Sequence, residues 1–170
     1  DIDLIERTIG FPVVVKTLLG SNGSGVFLIE HADAFNDLME LIGETNPNIQ
    51  IIFQQFVANS KGRDIRLFVV DGEVIAGMER RAREGSFKAN YSTGGSVHNF
   101  EADDEAIDLA IRTASILDIQ VAGIDLLFTE DGYTICEANT FPGFKGLEKA
   151  TSRNIPAKIF NAMRLRLGLP

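Results

Sequence analysis

Residues 121–139 read VAGIDLLFTEDGYTICEAN, two apolar runs on either side of a polar, glycine-containing turn. This pattern predicts a β-hairpin with strands over residues 121–128 and 133–138. Carboxylate and amide side chains interrupt both apolar runs. Carboxylates inside otherwise apolar strands need counter-charges or a cation, because desolvation disfavours their ionised form.

Short strands and helical segments make up the rest of the chain, and hairpins dominate. β-Branched runs, glycine turns and a 3.6-residue apolar period predict these elements. The predicted strands are 11–16, 26–29, 49–57, 65–70 and 73–80. The predicted helices are 31–42, one capped by Asp103 or Asp104, and one opened by Asn154 or Thr151 that runs to Leu167; residues 81–99 are predicted as a long polar loop. The fold class is therefore α+β, with largely antiparallel sheets and flanking helices.

The connection of the 121–139 hairpin decides where Asp125 points. Glu137 and Asn139 share one strand face, about 6.6 Å apart. A two-residue turn at 131–132 places Asp125 on the opposite face, whereas a three-residue turn at 130–132 places it beside Glu137. Glycine in the third loop position suits the left-handed residue of the longer turn. We therefore predict the three-residue turn and three oxygen ligands on one face.

These three side chains form a candidate metal site. Carboxylate and amide oxygens are hard ligands suited to Mg²⁺ or Mn²⁺. The predicted metal ligands are Asp125, Glu137 and Asn139. The alternative is an exposed polar strand face that holds no cation.

A glycine-serine loop at residues 20–25 follows the strand that ends at Lys16. Its backbone N–H groups could wrap phosphates, and Lys16 could reach them as a point charge. No Lys-Ser/Thr follows the last glycine, so the loop is not a Walker A motif. A strand rather than a helix follows it, which excludes a Rossmann fingerprint. A flexible hairpin tip remains the alternative.

Composition limits the classes of function. The chain has 170 residues, of which 45% are hydrophobic and 24% charged, which is typical of a globular protein. The net charge of -8 disfavours direct nucleic-acid binding. No apolar run approaches the roughly 20 residues of a membrane span, and the first residues do not resemble a signal peptide. With one cysteine there is no internal disulfide, so we expect a reducing, cytoplasmic location.

Basic side chains nevertheless gather in one segment of this acidic chain. They are Arg63, Arg66, Arg80, Arg81, Arg83 and Lys88. An anionic small molecule, such as a nucleotide phosphate or a substrate carboxylate, would explain the clustering. A solvated, charge-balancing face is the alternative. Arg66 is the stronger candidate, because it alternates into an otherwise apolar strand.

Eight stretches together resemble the ATP-grasp superfamily, and within it the RimK-type glutamate ligases. They are FPVVVK (11–16), GSNGSG (20–25), FQQFV (53–57), GRDIRLFVV (62–70), ERRAREGSFKAN (79–90), GG (94–95), VAGIDLL (121–127) and CEANTFPGFKGLEKAT (136–151). The resemblance implies the C-terminal portion of an ATP-grasp domain. It implies a glycine-loop subdomain over about residues 10–57 and a metal and phosphate subdomain over about residues 58–170. It also implies a further N-terminal domain upstream, which this chain lacks.

The resemblance assigns roles to individual residues. Lys16 matches the lysine that holds the nucleotide phosphates. The flap over the phosphates matches the loop that contains Gly20, Gly23 and Gly25. Gln55 and Phe56 match the hinge pair at the adenine, although the RimK pattern often has Glu at the first position; a backbone contact would make that change matter little.

Further roles fall in the second half of the chain. Asp64 matches a nucleotide-contacting acid. Lys88 and Asn90 fall where the family has a nucleotide-binding Arg-Ser-Asn, and Asp125, Glu137 and Asn139 match its divalent-metal ligands. Arg66 and Lys88 would neutralise phosphate charge, and Asn90 would stabilise an oxyanion.

The implied reaction is ATP-dependent amide formation through an acyl phosphate, adding glutamate to ribosomal protein S6 or to a related carboxylate-bearing acceptor. Lys88 in place of Arg, and Ser92-Thr93 in place of a His-Arg pair, leave the acceptor open. A ligase for an amino-group carrier protein or a cofactor tail is one alternative. A nucleotide-binding module without catalysis is another. No membrane partner is expected, and homo-oligomerisation is compatible with the sequence.

Overall fold

A computed structural model describes residues 2–19, 24–87, 89 and 94–169. The chain forms two compact units, Asp1–Ala58 and Asn59–Pro170. The described helices are α1 (Ile2–Thr8), α2 (Ala32–Thr45), α3 (Asp104–Ile116), α4 (Lys145–Thr151) and α5 (Ile155–Arg166). The described strands are β1 (Val13–Thr17), β2 (Val26–Ile29), β3 (Ile51–Gln55), β4 (Arg63–Val70), β5 (Glu73–Arg81), β6 (Ser96–Asn99), β7 (Val121–Phe128) and β8 (Tyr133–Asn139).

The first unit is a three-stranded antiparallel sheet in the order β2-β1-β3. One face of the sheet carries Val13 and Val15, which are buried with residues of α1 and α2, including Ile5 and Phe35. His31 begins α2, and its Nδ1 accepts from the Ala34 N–H at 3.4 Å, which satisfies a free donor of the first turn. Both helices therefore cover one face of the sheet, and β1 lies at its centre.

The second unit is a five-stranded antiparallel sheet in the order β6-β5-β4-β7-β8. Alternate residues of β4 enter different cores, because successive strand side chains point to opposite faces. Leu67 packs with Ala110 of α3, and Phe68 packs with Leu147 of α4. The antiparallel sheets and flanking helices confirm the α+β class.

Several elements differ from the sequence prediction. The predicted 81–99 loop contains β6 at its end, so His98 lies in a strand rather than in a loop. Helices α1 and α4, each of 7 residues, were missed because two turns are too short to show an apolar period. Where the sequence left two capping residues open, the structure places Asp103 at the start of α3 and Asn154 at the start of α5.

The β7–β8 connection corrects one step of the sequence argument. Phe128 pairs with Tyr133, so residues 129–132 form the connection and the three-residue turn is wrong. A β-bulge then shifts the register, because Leu126 faces Ile135 while Asp125 faces Glu137. The predicted pairing of Asp125 with Glu137 is confirmed. The bulge, rather than the turn, produces it.

Candidate functional site

Six polar side chains lie on the same face of the five-stranded sheet. Directly opposed residues of antiparallel strands share a face. Arg66 of β4 is opposite Asp125 of β7, which in turn is opposite Glu137 of β8. Asp64 lies two residues before Arg66 and opposite Arg80 of β5. Asn139, two residues after Glu137, completes the group on β8.

Two arginines hold the carboxylate of Asp125. Arg66 makes a two-bond contact, in which its Nε donates to Oδ1 at 2.7 Å and its NH2 donates to Oδ2 at 2.7 Å. Arg80 NH2 donates to the same Oδ2 at 2.8 Å. Arg80 also makes a two-bond contact with Asp64, at 2.6 and 2.9 Å. This planar fork geometry is particular to arginine and fixes the carboxylate positions.

Burial and these pairs act against each other on the acidic groups. Burial raises the pKa of Asp125, but Arg80 and Arg66 outweigh it and hold the pKa of that carboxyl below its usual value. Burial raises the pKa of Asp64, and Arg80 offsets only part of the effect. Burial also opposes the charge of Arg80, yet Asp125 and Asp64 raise the pKa of its guanidinium. Arg80 therefore stays charged, and Asp125 is the more acidic of the two carboxyls.

Glu137 and Asn139 form the open edge of this group. Glu137 is exposed and Asn139 is half-buried, whereas Asp125 is 4% exposed. In the orientation that satisfies its neighbours, the Asn139 amide nitrogen donates to Glu137 Oε1 at 3.1 Å. Its oxygen then accepts from Arg66 NH2 at 3.2 Å. Arg66 therefore links Asp125 to Asn139, and Asn139 contacts Glu137, so the three predicted metal ligands form one connected group.

The donor set fits a divalent cation. In the described parts of the chain no three His, Cys, Asp or Glu side chains converge in a metal-binding arrangement, so a cation site at this hairpin would need Asn139 as its third ligand. Two carboxylates and an amide suit Mg²⁺ or Mn²⁺. The NH2 group of Arg66 contacts both Asp125 and Asn139, which shows that these oxygens already converge on positive charge.

Gly123 gives the arginine its space. A Cβ at this position would lie 2.7 Å from Pro142 Cβ and 3.4 Å from Arg66 Nε. Because real Cβ atoms avoid the first of these distances, any side chain here would displace the loop after β8 or the arginine. The glycine of the VAGID stretch therefore positions Arg66 beside Asp125.

In the first unit, Lys16 lies on the central strand β1 between aliphatic residues of both neighbouring strands. It is opposite Val26 on β2 and opposite Ile52 on β3, so all three side chains share a face. This face is the one that does not carry the Val13 and Val15 core. A lysine flanked by aliphatic side chains can contact the phosphates of a ligand while the aliphatic side chains pack against a ring of the same ligand.

The residues at the end of β3, where the predicted hinge pair Gln55 and Phe56 lies, divide between the two faces of this sheet. Gln55 is opposite Val13, so its side chain points away from the Lys16 face. Gln54 is opposite Val14, and therefore shares the face of Lys16. Phe56 follows the end of β3 and is half-buried. Only the backbone of Gln55 can contribute on the Lys16 face, whereas Gln54 presents its side chain there.

Four of the sequence-predicted site residues lie outside the described residues: Gly20, Gly23, Lys88 and Asn90. Gly25 is described and has φ 74°, a left-handed conformation that suits glycine. A Cβ on it would lie 2.1 Å from Thr17 Oγ1, so the glycine also permits a close approach to β1.

Sequence reasoning did not select three residues that the structure brings to these sites: Arg80, Gly123 and Gln54. Arg80 was counted in the basic segment but not as a site residue, although it alternates into the apolar run of β5 as Arg66 does in β4. Gly123 carried the same signal as any glycine inside a strand, which marks a close approach. For Gln54, the strand period places it only on the face of Ile52, and the register of β1 with β3 is needed to place that face with Lys16.

Comparison with solved structures defines the fold. The chain is similar to an ATP-grasp ligase, PsnB, complexed with minimal precursor, Mg and ADP, with a TM-score of 0.73, 22% identity and coverage of 96% of this chain and 49% of that chain. It is also similar to a D-alanine--D-alanine ligase from Bacillus anthracis, with a TM-score of 0.66, 18% identity and coverage of 96% and 53%. These likenesses show the ATP-grasp fold.

Sequence comparison defines the family. Residues 1–163 match the RimK-like ATP-grasp domain, and the chain belongs to this family. A relative from Aliivibrio fischeri (strain MJ11), named "Probable alpha-L-glutamate ligase", is 38% identical over 159 residues, covering 94% of this chain and 52% of the relative. One of the same name from Rhodopirellula baltica is 37% identical over 166 residues, covering 98% and 40%. The chain thus spans about half the length of the curated relatives it matches.

The described helices include none that is long and apolar enough to cross a membrane.

Proposed function

We propose that this chain is the catalytic portion of an ATP-dependent carboxylate–amine ligase that adds glutamate to an acceptor. The observation that carries the proposal is the convergence of Asp125, Glu137 and Asn139 on one sheet face with Arg66 and Arg80. The names of the relatives support glutamate as the amine. The PsnB structure with Mg and ADP supports a nucleotide and a divalent cation on the same fold.

The reaction has two steps that balance. An oxygen of the acceptor carboxylate attacks the γ-phosphorus of ATP, the bond to the β–γ bridging oxygen breaks, and an acyl phosphate and ADP form. The amino nitrogen of glutamate then attacks the acyl carbon, phosphate leaves, and the nitrogen loses a proton to solvent as the amide forms. Such phosphoryl transfer depends mainly on positioning and on charge neutralisation.

The polar face of the five-stranded sheet meets these needs. Asp125, Glu137 and Asn139 would hold Mg²⁺ or Mn²⁺, which when bound offsets the charge of the transferring phosphoryl group. Arg66 contributes positive charge next to these ligands, as Lys88 does in the proposal. Asp64, held by Arg80, is the nucleotide-contacting acid. Asn90 is the proposed oxyanion donor.

The Lys16 face of the first unit would bind the nucleotide. Lys16 contacts the phosphates, and the loop with Gly20, Gly23 and Gly25 covers them. Val26 and Ile52 give the base an aliphatic surface. In this proposal Gln55 acts through its backbone and Phe56 beside it, and Gln54 is the side chain that reads polar edges of the base.

The acceptor is a carboxylate on a protein or a small molecule, and the C-terminus of ribosomal protein S6 is the first to test. Lys88 and Ser92-Thr93 depart from the family pattern, which favours testing an amino-group carrier protein and small carboxylates as well. A panel of these acceptors distinguishes the ligases that share this fold.

Hydroxylamine tests the proposed chemistry, since it traps an acyl phosphate as a hydroxamate. The panel is incubated with Mg²⁺–ATP, hydroxylamine and the parent chain, with Glu137→Gln, and with Glu101→Gln as an exposed control. We expect hydroxamate with the parent and the control, and a loss of roughly 100-fold or more with Glu137→Gln. Equal product with Glu137→Gln would contradict the role of the hairpin. ATP binding without hydroxamate for any acceptor would indicate a non-catalytic nucleotide-binding module.

A further inference from the structure

Arg66 occupies the oxygens that a divalent cation would need. It donates to both oxygens of Asp125 at 2.7 Å, and its NH2 lies 3.2 Å from the Asn139 oxygen. We infer that Arg66 and the divalent cation compete for Asp125, so that cation binding moves Arg66 from Asp125 towards the phosphates. This inference rests on the metal site of the proposed function and assigns Arg66 a regulatory role within it.

The competition follows from distance and charge. A Mg²⁺ ligand oxygen lies at about 2.1 Å from the ion, and Mg²⁺ demands near-ideal octahedral geometry. A guanidinium that uses both carboxylate oxygens crowds that geometry from the side of Asp125. Two positive groups within a few ångströms also repel each other, most strongly where water is excluded. The side chain of Asp125 is 6% exposed, so solvent screening there is small.

Arg66, rather than Arg80, is the arginine that moves. Arg80 is anchored elsewhere by a two-bond contact with Asp64, and it makes a single contact with Asp125. Arg66 directs its Nε and NH2 to Asp125 and Asn139, the two groups that the cation would claim. Its side chain is 14% exposed against 9% for Arg80. Gly123 has no side chain against the Arg66 stem, where a Cβ would lie 3.4 Å from Nε.

Competition has a consequence for the order of events. Once the cation binds, Asp125 still has Arg80 as a partner, so it remains fixed. Arg66 then becomes available to phosphate oxygens, which accept the same two-bond guanidinium contact as a carboxylate. Cation and arginine thus become ready for the phosphates together, and Arg66 does not bind the phosphates before the metal site is filled.

Removing Arg66 should therefore strengthen metal binding. The probe is Mn²⁺ alone, followed by electron paramagnetic resonance of the free ion, with the parent chain, Arg66→Met and Arg66→Lys. Arg63→Met is the matched control, because Arg63 lies on the same strand but its side chain points to the other face and contacts Glu79 and Phe128. Glu137→Gln reports whether the bound ion is at the hairpin.

We expect the Kd for Mn²⁺ to fall about tenfold in Arg66→Met, which corresponds to about 1.4 kcal/mol. Arg66→Lys keeps the charge but loses the planar contact, so a smaller decrease is expected. Arg63→Met should change the Kd by less than about twofold, because its charge is largely screened at the surface. Glu137→Gln should weaken binding to the parent chain.

Each other outcome has a distinct meaning. If the parent binds Mn²⁺ through Glu137 but Arg66→Met binds equally or more weakly, the competition is overturned while the metal site stands. If neither binds, the metal site and the competition both fail. If Arg63→Met tightens binding as much as Arg66→Met, a general charge effect replaces the competition.

A second readout follows the arginine side chains of the parent chain itself and needs a variant only for the assignment. The Nε–H resonances of Arg66 and Arg80 are recorded by ¹⁵N NMR while Mg²⁺ is added, and Arg66→Lys assigns the first of them. We expect the Arg66 signal to shift and lose protection from exchange while the Arg80 signal stays. Unchanged protection of Arg66 at saturating Mg²⁺ would overturn the inference.

Discussion

The two faces of the five-stranded sheet are built from alternating residues of the same strands, yet they are stabilised in different ways. On one face Ile65, Leu67, Ile124 and Leu126 are fully buried beneath α3. On the other, Arg66 and Asp125, the immediate neighbours of these residues, form a charged group with Arg80. The apolar face depends on packed volume, and the charged group on the polar face, which also carries the core around Phe68, depends on complete pairing.

This difference predicts how each face responds to change. A packed face loses free energy in proportion to the atoms that are removed. A buried charge group instead fails when any partner is lost, because the remaining charges have no compensation. Among the described residues, no buried side-chain nitrogen or oxygen lacks a hydrogen-bond partner. The polar face is therefore fully satisfied as it stands, and single substitutions should reveal its dependence on pairing.

The largest effect is expected from Asp125→Ala. This change leaves two guanidiniums, those of Arg66 and Arg80, without their shared carboxylate, and should lower the free energy of unfolding by about 3–5 kcal/mol. Urea denaturation measures the change. Asp108→Ala is the control, because its pair with Arg112 is exposed at 69% and 61%, and it should cost less than about 0.5 kcal/mol. Equal costs for the two variants would contradict the importance of pairing on the polar face.

Gly123→Ala should have the next largest effect, because it crowds the polar face without removing a charge. The new methyl group would meet Pro142 and the stem of Arg66, at a cost of about 1–3 kcal/mol. Thermal unfolding measures it. Gly43→Ala is a matched control in α2, where a Cβ has nothing within 4 Å, and this variant should be neutral or slightly stabilising. A neutral Gly123→Ala would show that the close approach is not needed.

Ile124→Val tests the apolar face one residue away from Asp125. Removing one methyl group from this fully buried position should cost about 0.5–1.5 kcal/mol, with the slope of the denaturation curve unchanged. The same variant should leave Mn²⁺ affinity unchanged, because the side chain points away from the polar face. A change in affinity would mean that the two faces are coupled.

The smallest effect concerns the phenol group of Tyr133, a residue that packs against the core under α3. Burial, with the hydrogen bond that Tyr133 donates to Asp103 at 3.0 Å, raises the pKa of Tyr133. A raised pKa in the folded state means that the contribution to stability is complete below about pH 10 and is lost as the pH rises through the folded value. The difference between the ultraviolet titration curves of the parent and of Tyr133→Phe should therefore show a phenol that ionises above about pH 10. Ionisation at the ordinary value would contradict this environment.

The sequence predicted most of the fold because its signals are local. The strand limits at 26–29 and 121–128 match the structure, and Asp103 was one of two residues proposed to cap α3. The β7–β8 bulge was not predictable, because a bulge depends on how the extra residue fits the sheet rather than on the turn residues. The strand at 96–99 was missed because it is short and polar.

The site was predictable only in part, because only some of its contacts lie within a short stretch of sequence. Asp125 and Glu137 belong to one hairpin, so their pairing could be proposed from the sequence, but the three-residue turn used to derive it was wrong and the bulge produces the pairing. The contact of Arg66 with Asp125 joins strands that are distant in sequence, whose register the sequence does not specify, and the contact of Arg80 with Asp64 depends on a β-bulge between Phe68 and Val69 in the β4–β5 hairpin. Arg66 was therefore expected to bind an anionic ligand, such as a nucleotide phosphate or a substrate carboxylate, and its contact with the proposed metal ligand is a result of the structure.

The most direct test of the account is calorimetric titration of Mg²⁺–ATP into the parent chain, Glu137→Gln and Glu101→Gln. We expect the parent and Glu101→Gln to bind equally, and folded Glu137→Gln to bind at least about tenfold more weakly, because it has lost a charged ligand of the cation. A parent that does not bind Mg²⁺–ATP, or a Glu137→Gln variant that binds as tightly as the parent, would contradict the proposed site.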